Sequence, residues 1–177
     1  LDLQSRGGRL SADIQAVVAS DYIRNLRDEA KKGIYGRLKQ GFYPFRAPLG
    51  YLDNGAAQPK TVDPEKGPLV KAAFELYGTA RFTLHTLADE MYARGLRNLA
   101  GGRLEVNSLD KVLRNPFYMG VIRLRNSGET FEGSHEALIP RSLFDRVQLI
   151  LSGRVGARFQ VHEFPFRKFV KCAHCGR

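Results

Sequence analysis

Pro44 and Pro48 stand four residues apart in the segment 42–50, with Arg46 between them, and no helix can pass through that stretch. The chain is thereby split. On one side Ile14, Val17, Val18, Tyr22, Leu26 and Ala30 recur at helical spacing behind Ser11, an N-cap type with Asp13 in the first turn. Leu38 can extend the stripe past Gly33 and Gly36, and Gly41 suits a C′ position, so the spacing predicts one long helix over 11–40, preceded by a loop or frayed end at 1–10. The second half of that helix is basic: Arg24, Arg27, Lys31, Lys32, Arg37 and Lys39 stand against only Asp28 and Glu29. A solvated helix face accounts for such a run, and so does a phosphate-binding surface.

On the other side of the prolines the elements are short. A hairpin is expected from 49–52 and 60–62 around Asp53-Asn54-Gly55, followed by Asp63-Pro64-Glu65 as the start of a helix burying Leu69, Val70, Ala73, Phe74 and Tyr77. Thr83 caps a third helix with Leu84, Leu87, Ala88 and Met91 inside and Gly95 at its end. The Gly101-Gly102 pair suits a two-residue hairpin turn within 97–106, and Asn107 or Ser108 caps a short helix that stops before Pro116. Two helices around a small hairpin resemble a helix-turn-helix with an enlarged turn, and Asn107, Ser108, Lys111 and Arg114 become the groove-facing residues. A strand over 117–124 turns at Asn126-Ser127-Gly128 into 129–132, and Pro140 opens a helix bearing Leu143, Phe144, Val147, Ile150 and Leu151. The fold class is α+β, mainly helical: a long N-terminal helix, a compact helical domain with small β-hairpins and a helix-turn-helix-like pair, then the start of a zinc ribbon.

Charge narrows the function. The 177 residues carry 28 Lys and Arg against 18 Asp and Glu, a net +10, which favours a polyanionic partner. The excess sits at the two ends: +4 over residues 1–50 and +5 over 152–177, with the middle near neutral. A neutral middle must meet nucleic acid through selected residues while its flanks supply the bulk attraction. No run of residues suits a membrane span or a secretory signal, and with only two cysteines a disulfide framework is excluded; a reducing cytoplasm is the expected compartment.

Those cysteines, Cys172 and Cys175, have zinc-knuckle spacing but supply half of a tetrahedral site. A redox pair and incidental thiols are the other readings, and recruitment of His135, His162 or His174 has no familiar spacing behind it. No standalone active site emerges: there is no Gly-x-Ser-x-Gly and no phosphate-binding Gly loop, and His85, His135 and His162 lie in separate segments and read as structural or exposed.

The order of parts is the strongest signal. A long basic helix, Ala47-Pro48-Leu49-Gly50-Tyr51, Asp63-Pro64-Glu65 before Phe74-Glu75-Leu76-Tyr77, Leu113-Arg114-Asn115-Pro116-Phe117-Tyr118-Met119-Gly120, Phe144-Asp145-Arg146-Val147 and a final Cys-x-x-Cys together resemble the large serine recombinases, the serine integrases and transposon resolvases. The resemblance covers about 11–177. It implies that 1–41 is the end of a catalytic domain whose long helix mediates dimer contacts and lays its far end over DNA. Residues 42–50 would be a linker along the minor groove, with Arg46 in it, and 51–151 a recombinase DNA-binding domain. A linker over 152–165 and an incomplete zinc ribbon over 166–177 would follow. It further implies duplex DNA as partner, phosphate contacts from the basic helix, readout around Arg103 and 107–114, and a homodimer or tetramer in the full-length protein. Zinc would belong to the full-length ribbon and take no part in the chemistry. In that family a serine attacks the phosphodiester; Ser5, Ser11 and Ser20 do not match it, so the nucleophile is expected upstream, in a longer chain of which this is an internal piece. The rival readings are a DNA-binding regulator that never recombines its target, and an RNA-binding or ribosome-associated zinc-ribbon protein.

Overall fold

A computed structural model describes residues 6–98 and 100–153. Helix α1 runs over Arg6–Lys39, 34 residues and about 50 Å at 1.5 Å per residue. It starts five residues before the expected cap at Ser11, and the segment 6–10 is helical, not loop. Gly7 and Gly8 each cost about 1 kcal/mol of helix propensity relative to Ala, but a glycine is not a stop, and Ser11 caps nothing where the chain does not turn away. The other end is as the sequence predicts. Gly41 adopts φ +81°, and its N–H and that of Phe42 bond back to the carbonyls of Leu38 and Arg37 at 2.9 Å.

Residues 42–50 form neither helix nor strand but are packed: Tyr43, Ala47 and Leu49 lie against the core, and the buried Tyr118 hydroxyl donates to the Leu49 carbonyl at 2.8 Å. Strands β1 (Tyr51–Leu52) and β2 (Thr61–Val62) pair antiparallel, Tyr51 opposite Val62. The loop between them is held by Lys60, whose buried ammonium binds the Asp53 carboxylate and donates to the Gly55 carbonyl at 2.8 Å. That partnership satisfies a charge that burial would otherwise penalise, and the Lys60 hydrogen bond holds the Asp53 carboxyl below its usual range.

Helix α2 (Lys66–Gly78) begins where Asp63 Oδ1 accepts from the N–H groups of Glu65 and Lys66, and it buries Val70, Ala73, Phe74 and Tyr77. Helix α3 (Leu84–Ala93) opens on a capping box between Thr83 and Thr86, as Thr83 implied, and buries Leu87, Ala88 and Met91. No strand forms over the described residues of 97–106, where a hairpin was expected. Asn98 shapes the loop instead: its Oδ1 accepts from Ala100 and Gly102 N–H at 2.9 Å and its Nδ2 donates to the Arg103 carbonyl at 3.1 Å. An Asx side chain thus replaces the ladder a hairpin would need.

Helix α4 (Val106–Leu113) starts at Glu105, whose carbonyl accepts from Ser108 and Leu109 N–H at 2.9 Å. Asn107 and Ser108 therefore sit in its first turn and do not cap it; Val106, packed against the core, draws the chain into the helix early. After Arg114 the segment 117–120 is not strand. Asn115 Oδ1 accepts from Phe117 N–H at 3.1 Å and Pro116 supplies a helical φ, giving a 3₁₀ turn over Pro116–Met119 that ends at Gly120. Strands β3 (Val121–Arg123) and β4 (Thr130–Glu132) then pair antiparallel, and α5 (Arg141–Leu151) buries Phe144 and Val147. Helix α2 packs on α3 and α5, and α3 on α4. The architecture is thus mainly helical with two small antiparallel hairpins.

The core is aromatic. Phe74 meets Tyr118 at 5.3 Å, Tyr51 meets Phe117 at 5.0 Å, and Phe117 stacks on His135 at 3.6 Å and 4°. Burying side chains of this size contributes roughly 1.5–3 kcal/mol each. Burial raises the Tyr118 hydroxyl's pKa and takes that of Tyr51, which donates to the Glu136 carbonyl, up to about 12.

Candidate nucleic-acid interface

The basic residues of α1 are exposed, and their spacing sorts them. Arg24, Arg27 and Lys31, at i, i+3 and i+7, share the face that seven residues on carries Leu38, the one buried residue of the helix. The face that anchors α1 to the domain therefore presents cations further along the same line. Lys32 and Lys39 share a second face with Tyr35 between them, and Arg37 points elsewhere. Lys32 donates to Glu29 at 2.7 Å and Lys31 stands 4.0 Å from Asp28. Exposed pairs of this kind are worth roughly 0.3–0.5 kcal/mol and exchange readily for phosphate.

Four contacts fix the end of α1 on the β3–β4 hairpin and the residues just after it. The Tyr35 hydroxyl donates to Glu129 Oε2 at 2.7 Å across 94 residues of sequence, its ring meets Phe131 edge-on at 6.2 Å, and the Gly41 carbonyl accepts from Ser134 N–H at 2.9 Å and its hydroxyl at 3.0 Å. The bond from Tyr35, with one from Ser127, holds the Glu129 carboxyl below its usual range. Nothing in the local sequence marks Tyr35, because its partner lies so far along the chain.

On α4, Asn107, Lys111 and Arg114 at i, i+4 and i+7 form one exposed face, whereas Ser108 turns away and is half-buried. Leu109 and Leu113 pack the opposite side. Arg114 Nε donates to both oxygens of Asp110 at 2.9 Å, so the guanidinium is held along the helix while its outer nitrogens remain available. Arg103, expected among the DNA-binding residues, pairs with Asp89 of α3 at 2.6 Å and ties the loop to that helix. Arg97 is pinned by carbonyl bonds and lies over the Tyr92 ring at 3.8 Å. Arg46 is exposed in the linker, and Arg123 and Arg125, which sequence reasoning passed over, are exposed on the hairpin.

His85 is exposed, and His135 is buried. The latter donates from Nε2 to the Phe117 carbonyl at 2.7 Å, which leaves the Nδ1 lone pair enclosed without a partner; burial lowers the imidazole's pKa, against the smaller upward pull of that hydrogen bond. Cys172, Cys175, His162 and His174 lie outside the described residues, as do the expected linker after 153 and the ribbon strand. Among the described residues no cluster of His, Cys, Asp and Glu could hold a metal ion, and no helix is long and apolar enough to cross a membrane.

Comparison with known proteins gives this geometry its place. A family model described as Recombinase matches residues 64–154, from the start of α2 to just past α5, and the chain belongs to that family. Two solved structures share the fold at 19% identity and a TM-score of 0.59. One, a crystal structure of an LSR–DNA complex, matches over 71% of this chain and 38% of its own. The other comes from work on the sequence requirements of the Listeria innocua prophage attP site and matches over 84% of this chain and 62% of its own. The chain thus spans less than two thirds of either. Comparison with curated proteins finds no match.

Proposed function

We propose that this chain is the DNA-gripping portion of a large serine recombinase, binding attachment-site duplex for strand exchange by phosphoserine chemistry whose nucleophile lies outside the residues matched here. The observation that carries it is the exposed Asn107–Lys111–Arg114 face of α4, buttressed beneath by α3, inside the segment that matches the Recombinase family. Asparagine and arginine are the residue types that read adenine and guanine edges in the major groove, and a short helix backed by a second is the element that enters it. Arg24, Arg27, Lys31, Lys32, Arg37 and Lys39 would contact phosphates, and Arg46 the minor groove. Both structural neighbours come from studies of DNA sites or complexes, which supports duplex over RNA.

The apolar stripe of α1 would pack on a second copy. Two thiolates at Cys172 and Cys175 would supply half of a tetrahedral zinc set, structural in role. The reading is tested by R114A on cognate and random duplex. A loss of roughly 1–3 kcal/mol confined to the cognate site supports a base contact, and equal losses on both refute it.

A further inference from the structure

Phe45 is 41% exposed in a segment where Tyr43, Ala47 and Leu49 are packed against the core. Its position is nonetheless fixed. Pro44 and Pro48 restrict the backbone on either side, and the ring meets Tyr43 edge-on at 5.3 Å. Tyr43 in turn packs on Phe117 at 4.9 Å, and Phe117 on His135, so an aromatic relay leads from the buried core to one ring held out in solvent. Cations lie on both sides of this aromatic pair: Arg46 is exposed next to Phe45 in sequence, and the exposed Arg125 of the hairpin is close enough to Tyr43, the ring Phe45 meets, to pull its hydroxyl pKa down against the larger upward push of burial. Among the described residues neither arginine has a carboxylate partner within ion-pair distance.

An exposed ring braced by Tyr43, with an unpaired arginine next to it in sequence and another near Tyr43, fits a polyanion with flat apolar faces inside it. We infer that Phe45 is a wedge that enters between base pairs of duplex DNA from the minor groove, with Arg46 and Arg125 on the flanking phosphates. The inference rests on the proposed DNA-binding reading and adds to it a deformation of the site. Apolar side chains used in this way unstack a base step and bend the duplex towards the major groove. The favoured steps would be pyrimidine–purine, TA above all, because these unstack at least cost.

The test uses the whole chain and a duplex of about 30 base pairs with central TA steps, labelled at both ends for energy transfer and carrying 2-aminopurine beside one TA. Wild type is expected to bring the ends closer and raise the 2-aminopurine fluorescence. F45A should lose both signals and bind roughly three- to tenfold more weakly. Its melting temperature should fall only slightly, since the edge contact with Tyr43 is all that is lost from the fold, and its salt slope should not change, since no charge is removed. F45L, still an apolar wedge, should keep the bend. If wild type binds but leaves the duplex straight, or F45A bends it equally, the wedge is overturned while the DNA reading stands. If wild type does not bind duplex at low salt, both fall.

Discussion

At the scale of single residues, His135 is the side chain whose surroundings are most exacting. Its Nε2–H must donate, because the Phe117 carbonyl can only accept, and so the neutral tautomer with an unshared Nδ1 lone pair is the folded form. Protonation would place a charge against Phe117 and Tyr51 with no partner for the second N–H. Because burial lowers the folded pKa, the unfolded chain binds the proton first, at about 6.5. Stability from this group is complete above that pH and is lost as pH falls from there towards the depressed folded value, with a limiting slope of about 1.4 kcal/mol per pH unit. Urea unfolding between pH 7 and pH 5 should show the decline in wild type. H135Q, which keeps an amide donor but does not titrate, should flatten it. Asp53 and Glu129, held below the usual carboxylate range, act only in more acid solution.

Among the elements α1 stands apart. Ile34, Tyr35, Leu38 and Gly41 dock its C-terminal end, whereas Leu10, Ile14, Val17, Val18, Tyr22 and Leu26 carry the helical period over an exposed face, Val17 being 69% exposed. Helices in water draw most of their stability from packing such a face, so a free stripe of this length calls for a cover, and the proposed second copy would supply it. The double substitution V17D/V18D should leave thermal melting of the 51–153 region within about 0.5 kcal/mol of wild type, as surface changes do. If α1 is the pairing surface, the same variant should abolish any dimer seen in sedimentation. A dimer that survives V17D/V18D would mean that the contact lies elsewhere.

For the whole molecule the net charge of +10 becomes a prediction once the cations are placed. Phosphate contacts release counterions, so the logarithm of affinity falls linearly with that of salt, by about 0.9 per phosphate neutralised. K31A/K32A should therefore weaken binding alike on all sequences and reduce the slope by up to about 2 units. An unchanged slope would place both lysines off the phosphates. R114A should instead show its effect in sequence preference, and the two variants together separate grip from readout.

What the sequence by itself determined is whatever depends on neighbours along the chain. The capping by Thr83, the turn at Gly41, the stripes of α2, α3 and α5 and the break at Pro44 are set within a few residues, where period and backbone restriction act. The i, i+4, i+7 spacing of Asn107, Lys111 and Arg114 was legible for the same reason. Tertiary packing decided the rest. Val106 reached the core and moved the start of α4, Asn98 replaced a hairpin with a side-chain-bridged loop, and Tyr35 found Glu129 on the far hairpin. Which arginines remain free was settled in the same way, by partners the local sequence does not name: Arg103 met Asp89, while Arg46 and Arg125 were left exposed without an acidic partner among the described residues. Local propensity cannot register contacts closed by folding, because their energy exists only once distant segments share a surface.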